Sequence, residues 1–455
     1  MAYSPIGNLN LGNFLQIAFS DGVRNQLSED YRDYDMVKQI REGNPNGRQV
    51  NFLFQKSFGP AAVQYRNPNF SVNFPAAQQV STQEHTALYK ELDVTVELEY
   101  NLWNMARKSP AKYAEPLANE IASKTTAAKR RLAADLYGDG TGLVGKVASV
   151  TDVTGANGSA VVTLDATTAA VFNGHVGMFE FGDLLRVHEV TGTPATAPTV
   201  VGTFLAWRVR SKNRQASQVT LEAVSASGAV LELTASNLAD TDYFYRIGQP
   251  SIPNRSAIVD YGAATEVIPG LESLASSDGR VVHGISMSGA SASSTFDGGG
   301  SALDVSMIQT AMDQAKINVG QSTYAWKKMC MAPEAAAALI ESREQDRRFH
   351  SIEDNKRGVR TFIYQHGNDA IEVTTSEYIP KARIFISPEN KSTKGKVLEA
   401  HMSDFEQVKV NDSSAFMLKS SADGYERKIV TYMSAVGTLI CKHPAAIARI
   451  QNFTV

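Results

Sequence analysis

The chain has 455 residues, of which 43% are hydrophobic and 20% are charged, and its formal net charge is -3. This composition fits a folded protein of roughly two to four domains and excludes a disordered or fibrous one. The near-neutral charge excludes the strong basic field of a dedicated nucleic-acid binder. The two cysteines, Cys330 and Cys441, lack metal-ligand spacing, which favours a reducing compartment over a secreted disulfide framework.

The beginning of the chain carries no recognisable targeting signal. It has no basic segment followed by an apolar one, so no export signal is predicted. No apolar, uncharged run reaches the roughly 20 residues that a membrane span needs, so no membrane association is expected.

The first 90 residues predict an N-terminal arm followed by a long hairpin. Asp21 is a suitable N-cap, and apolar side chains at helical spacing predict one helix over 21–41 within an arm at 1–49. Over 43–90, the turn motifs GNPNG, FGP, RNPNF and NFP separate short apolar runs, which is typical of strands joined by turns and predicts a long hairpin over 50–90. A two-stranded hairpin is marginally stable by itself, so we expect it to rest on another subunit. The predicted intersubunit contacts are Phe52, Phe54, Phe58, Tyr65 and Phe70.

A strand and a long helix follow the hairpin. The sequence ELDVTVELEY at 91–100 alternates apolar and polar residues without a fault, which predicts a half-buried strand. Residues 110–142 predict one amphipathic helix, with Ser109 as its N-cap and Gly138 as a left-handed C-cap. Its apolar stripe consists of Leu117, Ile121, Ala128, Leu132 and Leu136.

Residues 143–250 predict a separate all-β domain. About six short strands are separated by the turn motifs GANGS, TGTPATAP and SASG, which is the spacing of a barrel or a sandwich. Glycine- or proline-rich joints, GDGTG and GQPSIPN, bound the segment and indicate a flexibly attached insertion. Acidic residues throughout the segment disfavour a position against nucleic acid. They include Asp165, Glu180, Asp183, Glu189, Glu222, Glu232, Asp240 and Asp242.

The remainder of the chain predicts a mixed lobe and a returning strand. A helix is expected from Asp304 to about Ile317, then a strand at KMCMA and a helix opened by Pro333. The long C-terminal β segment is expected to pair with the strand at 91–100.

No catalytic, cofactor or metal site is predicted. GISMSG at 284–289 only approximates the G-x-S-x-G nucleophile motif. The glycine-rich runs lack the lysine of a phosphate-binding loop, and the histidines are scattered without metal-ligand spacing. Basic runs at 128–131 and 354–360 are read as solvated surfaces rather than phosphate contacts.

Taken in order, these elements resemble the major capsid proteins of tailed double-stranded-DNA bacteriophages, which have the Hong Kong 97-like fold. The resemblance rests on the 50–90 excursion, ELDVTVELEY, the helix ending AADLYGDGTG, the run from LDVSMIQTAMDQA through KMCMA to PEAAAALIES, and the C-terminal strands. It covers nearly the whole chain apart from 143–250. It implies an α+β fold in which the 50–90 hairpin is the extension loop. The other implied parts are an N-terminal arm (1–49), a peripheral domain with its spine helix (91–142 and 401–455), an inserted β-barrel or sandwich domain (143–250) and an axial domain (251–400).

The resemblance implies a structural protein without enzymatic activity or cofactors. Copies of it would assemble as hexamers and pentamers into an icosahedral shell that encloses double-stranded DNA. The arm at 1–49 is too short for the fused scaffold that some relatives cleave, which implies a separate scaffolding protein alongside a portal, with a decoration protein as a further partner. DNA would contact the shell non-specifically, in a virion assembled in the host cytoplasm.

Three alternatives come from other functional classes. An encapsulin-type nanocompartment shell would need a groove for a cargo peptide and remains open. A hydrolase in the 255–400 lobe would need a cluster of titratable residues, and a β-rich adhesin would need an export signal. The sequence favours neither of the last two.

Overall fold

The chain is described by a computed structural model, in which secondary structure and burial are assigned for part of the sequence. The described residues are 36–41, 49–57, 81–99, 127–128, 130–155, 157–167, 172–189, 194–247, 260, 267–275, 280–287, 294–319, 324–341, 353–354, 360–366, 369–391, 394–402, 406–407, 417–420 and 427–455. The fold is mixed α+β and is dominated by strands.

A six-stranded sheet forms around the long strand Arg427–Cys441. This strand runs antiparallel to Lys90–Glu99, with Lys428 opposite Glu99 and Gly437 opposite Lys90. The predicted pairing of the C-terminal segment with the strand at 91–100 is therefore confirmed. The other strands of the sheet are Val37–Arg41, Leu398–Met402, Glu406–Gln407 and Met417–Ser420.

The prediction of a helix over 21–41 is wrong at its C-terminal end, and residues 21–35 lie outside the described part of the chain. Val37–Arg41 is a strand that runs parallel to Leu398–Met402. Val37 is buried in this pairing, with 2% of its surface exposed. Backbone pairing with a distant strand overrides the local helical spacing here.

The helix predicted over 110–142 is described only in its last turns. Residues 127–128 and 130–136 are helical, and Leu132 and Leu136 are buried as the apolar stripe requires. The prediction that Gly138 is a left-handed cap is wrong, because the positive φ angles fall at Gly140 (82°) and Gly142 (75°). Gly270 packs closely on the end of this helix. A Cβ at Gly270 would overlap the carbonyl oxygens of the terminal helical turn.

Residues 143–246 contain a closed six-stranded barrel. Closure pairs every strand on both sides and leaves no open edge. Its buried side chains are mostly aliphatic and include aromatic residues, of which Phe179 and Phe244 meet edge to face with ring centroids 6.0 Å apart. The barrel strands are Leu143–Val153, Ser159–Leu164, Leu184–His188, Ala206–Asn213, Gln218–Val224 and Tyr243–Arg246, and a two-stranded sheet of Thr199–Val201 and Glu232–Ala235 accompanies them.

A seven-stranded mixed sheet forms the core of the lobe that follows. The helix Val305–Val319 packs on it through the buried stripe predicted from the sequence, which includes Val305, Ile308, Met312 and Ala315. Pro333–Glu341 is the second helix predicted for this lobe. Leu271–Leu274 is a short helix that was not predicted. The sheet consists of Ser294–Asp297, Tyr324–Met331, Glu353–Asp354, Arg360–His366, Asp369–Thr375, Arg383–Asn390 and Ala448–Gln451, and a separate pair is formed by Val281–Val282 and Ile285–Ser286.

The predicted peripheral (401–455) and axial (251–400) domains do not coincide with the two sheets, and two strands differ. Ala448–Gln451 belongs to the seven-stranded sheet, where it pairs with Ser294–Asp297 and Arg383–Asn390. Leu398–Met402 belongs to the six-stranded sheet instead. The chain therefore leaves the first sheet and ends in the second, a crossing that strand spacing alone does not reveal.

A buried ionic cluster ties the lobe together. Glu272 accepts hydrogen bonds from Arg383 Nε at 2.8 Å and from a terminal nitrogen of Arg449 at 2.7 Å. All three side chains are at most 4% exposed. The cluster joins the short helix that begins one residue after Gly270 to two strands of the seven-stranded sheet.

None of the helices in the described part of the chain is long and apolar enough to span a membrane.

Candidate assembly surface

The strands Gln49–Ser57 and Ser81–Leu88 form a two-stranded sheet of their own, which is called the hairpin below. Side chains alternate between its faces. Phe52 and Phe54 lie on the inner face and are 6% and 2% exposed, whereas Leu53 lies on the outer face and is 64% exposed. Leu53 stands directly opposite Glu84 in the antiparallel register. The hairpin therefore covers one apolar face within its own chain and leaves one large apolar side chain uncovered.

This alternation corrects part of the predicted intersubunit contact set. Phe52 and Phe54 were expected to be left exposed by a single chain, yet both are buried within it because they face inward. Phe58, Tyr65 and Phe70 lie outside the described residues. Leu53 was not among the predicted contacts, because aromatic character alone does not show which side chains of a strand point outward.

The inner face of the hairpin packs on the turn between Val281–Val282 and Ile285–Ser286. The Phe52 ring meets the His283 ring edge to face, with centroids 6.0 Å apart. His283 is buried and in contact with the Leu439 carbonyl oxygen through Nε2 at 3.0 Å. Burial lowers the pKa of His283, which keeps the ring neutral against the aromatic side chain. The hairpin is thus anchored at its base to both the turn and the six-stranded sheet.

The barrel is joined to the seven-stranded sheet through His175. The Gly177 N–H donates to Nδ1 of His175 at 3.1 Å, which assigns the ring proton to Nε2. Nε2 then donates to the Tyr378 carbonyl oxygen at 2.8 Å. Burial, followed by the nearby Arg214, lowers the pKa of His175 to about 3. At Gly177 a Cβ would overlap the Glu377 carbonyl oxygen, so the two backbones are in direct contact.

Arg214 completes this junction. Its Nε donates to Glu334 at 2.5 Å, and its terminal nitrogens donate to the carbonyl oxygens of Glu377 and Ile379. Burial by itself would raise the pKa of Glu334. The hydrogen bond from Arg214, together with smaller contributions, outweighs burial, so the pKa is lowered. A flexible attachment was expected from the glycine- and proline-rich joints. The described contacts instead fix one end of the barrel against the loop that follows Asp369–Thr375.

The GISMSG segment does not form a catalytic arrangement with the neighbouring histidine. Ser286 of GISMSG is exposed, whereas the ring of His283 is buried and directed to the Leu439 carbonyl oxygen. Cys441 and His443 lie close to Tyr324, but burial raises the pKa of the Cys441 thiol to about 12. A thiol of that pKa is not a nucleophile near neutral pH. Among the described residues, no group of three or more His, Cys, Asp or Glu side chains is placed to hold a metal ion.

No protein-family model matches the chain, and no curated protein matches it in sequence. The solved structures similar to it are mostly phage capsid chains. The cyanophage A-1(L) capsid has a TM-score of 0.45 and 10% identity, with 92% of this chain and 91% of that chain covered. The satellite phage P4 procapsid has a TM-score of 0.36 and 8% identity, with 95% and 90% covered.

An encapsulin complex from Synechococcus elongatus is also similar, with a TM-score of 0.36, 8% identity, and 93% of this chain and 87% of that chain covered.

Proposed function

We propose that this chain is a structural shell protein, the major capsid protein of a tailed bacteriophage with a Hong Kong 97-like fold. The observation that carries the proposal is the hairpin. It is a two-stranded sheet anchored at its base, and its outer face exposes Leu53. Isolated two-stranded sheets are marginally stable, so the outer face of the hairpin is expected to be stabilised by contact with a neighbour. Neighbouring copies in a closed shell supply such contacts.

The way in which the hairpin and the barrel are joined to the two larger sheets supports the same proposal. The six-stranded sheet, the seven-stranded sheet and the ionic cluster around Glu272 form a compact body. The hairpin and the barrel are added to that body at defined junctions. Within this scheme copies assemble as hexamers and pentamers around double-stranded DNA, with a separate scaffolding protein and a portal as partners.

The 143–250 segment is proposed to be an inserted domain on the outer surface of the shell. Its strands close on themselves, and its core includes Trp207 and Phe244. Exposed acidic residues such as Glu232 and Asp240 disfavour a position against packaged DNA. A lateral clamp between capsomers is the role we favour for it.

Assembly of the purified chain tests the proposal. The full-length protein, expressed with and without a scaffolding protein, is separated by size and imaged by electron microscopy. Closed icosahedral particles support the proposal. An encapsulin-type nanocompartment remains the second candidate, and it is distinguished by particles that capture a peptide-tagged cargo protein and contain no DNA.

A further inference from the structure

The barrel carries a second exposed apolar surface, named here the barrel patch, which consists of Phe181, Leu184, Arg186 and Arg210. Phe181 is 65% exposed and Leu184 is 37% exposed. Arg186 and Arg210 are exposed as well. Exposed phenylalanine and arginine side chains together are typical of the centres of protein interfaces.

The backbone register shows that the four residues form one continuous surface. Leu184 pairs with Arg208 across two antiparallel strands. The Gly182 N–H donates to the Val209 carbonyl oxygen at 3.0 Å, which brings the turn containing Phe181 beside Arg210. The barrel patch therefore extends over the strand Leu184–His188, the turn before it and the neighbouring strand Ala206–Asn213.

Its charge is uncompensated within the described part of the chain. Arg208, next to the patch, is paired with Glu222 at 2.6 Å. Among the described residues, Arg186 and Arg210 make no such ion pair. A partner for the barrel patch should therefore present an apolar side chain beside a carboxylate.

The outer face of the hairpin has this chemistry. Leu53 is exposed and stands opposite the exposed Glu84, and Asn51 and Thr86 continue the same face. A carboxylate accepts two parallel hydrogen bonds from a guanidinium, which would orient the pair. We propose that the outer face of the hairpin of one copy docks on the barrel patch of a second copy. This inference rests on the proposed self-assembly and assigns the two surfaces that meet.

Site-directed disulfide formation tests the contact. Leu53→Cys and Phe181→Cys are introduced into separate copies, which are co-expressed, assembled and oxidised with diamide. The native thiols Cys330 and Cys441 are buried, so background crosslinking is low. We expect covalent dimers on a non-reducing gel. The matched control pairs Phe181→Cys with Ile317→Cys, a 72% exposed position on the helix Val305–Val319, and should give no dimer.

Charge reversal provides a second measurement. Arg186→Glu with Arg210→Glu should lower the yield of particles by about tenfold or more, because like charges would face each other across the contact. Adding Glu84→Arg should restore it. Lys327→Glu, at an exposed basic position elsewhere, is the control and should assemble normally.

The outcomes separate this inference from the proposed function. If the wild type forms particles but the Leu53→Cys and Phe181→Cys pair gives no covalent dimer, or no more than the control pair, the inference is overturned and self-assembly is left standing. Normal particle yield with reduced DNA content in the arginine variants also overturns it, in favour of a nucleic-acid contact. Absence of any wild-type particles overturns the proposed function itself.

Discussion

At the scale of single residues, the fold depends on a few buried charges and on neutral histidines. Glu272 holds two guanidiniums that water does not reach, and His175 holds a backbone carbonyl through a ring that must remain uncharged. Both side chains join segments that are far apart in the sequence. Their substitution therefore tests how the parts of the chain are held together.

Glu272→Ala should strongly destabilise the unassembled protein. The substitution removes the carboxylate and leaves Arg383 and Arg449 buried without their anionic partner. We expect a loss of about 3–5 kcal/mol in the free energy of unfolding, measured by denaturant titration. Glu232→Ala, at an exposed position, is the control and should change stability by less than about 0.5 kcal/mol. Equal effects of the two substitutions would contradict the structural role of the cluster.

His175 should make stability depend on pH. Its folded-state pKa is about 3, below the unfolded value of 6.5, so the unfolded chain binds the extra proton between these values. The contribution is therefore fully present above pH 6.5 and is lost as the pH falls towards 3. His175→Asn keeps an acceptor for the Gly177 N–H but cannot titrate. Between the two pKa values, the free energy of unfolding of the wild type should fall more steeply with decreasing pH than that of the variant. The difference between the two slopes should be about 1.4 kcal/mol per pH unit.

The measurement is the denaturant midpoint of both proteins as a function of pH. The variant should be less stable at neutral pH because asparagine is too short to replace the bond to Tyr378. Two parallel curves would show that protonation of His175 plays no part in acid destabilisation.

At the scale of elements, the junctions decide the architecture. The helical segment at 130–136 ends where Gly270 packs against its last carbonyl groups, and one end of the barrel lies where His175 and Arg214 contact the loop after Asp369–Thr375. Each junction uses a small residue or a buried hydrogen bond to bring two backbones together. Side chains of ordinary size would separate the elements.

Gly270→Ala should weaken the contact between the helix and the lobe. The added Cβ would overlap backbone oxygens of Asp135, Leu136 and Gly138, which cannot move without distorting the helix end. Overpacking of this kind costs about 1–3 kcal/mol, measurable by denaturant titration. Gly138→Ala is the matched control, because its Cβ would lie 3.4 Å from the nearest atom, and we expect a change within about 1 kcal/mol. If Gly270→Ala left the free energy of unfolding unchanged, close packing of Gly270 on the helix end would be contradicted.

Deletion of 57–75 should separate folding from assembly. Both sheets and the barrel have their own buried cores outside this segment, so the shortened chain should stay folded by circular dichroism. Particle yield should fall because the proposed hairpin contact is lost. Normal particles of normal stability would show that the extension loop is not an intersubunit contact.

At the scale of the whole molecule, local patterns predicted several elements well. Strict alternation identified the strand Lys90–Glu99, and helical spacing identified Val305–Val319. The C-terminal strand also pairs with Lys90–Glu99, as expected. These elements were predictable because burial on one face imposes a period that is visible in the sequence.

Features that depend on distant contacts could not be predicted in the same way. Val37–Arg41 has helical spacing but becomes a strand because Leu398–Met402 offers a paired edge. The inward direction of Phe52 depends on the turn that contains His283. The junction at Arg214 involves residues more than 100 positions away in the sequence, and no local pattern encodes it.

The proposed assembly of the whole molecule is tested most directly by cryo-electron microscopy of the purified full-length protein. We predict closed icosahedral particles built from hexamers and pentamers, with density for the barrel on the outer surface. A soluble, folded monomer that forms no particles at any concentration, with or without a scaffolding protein, would contradict the account.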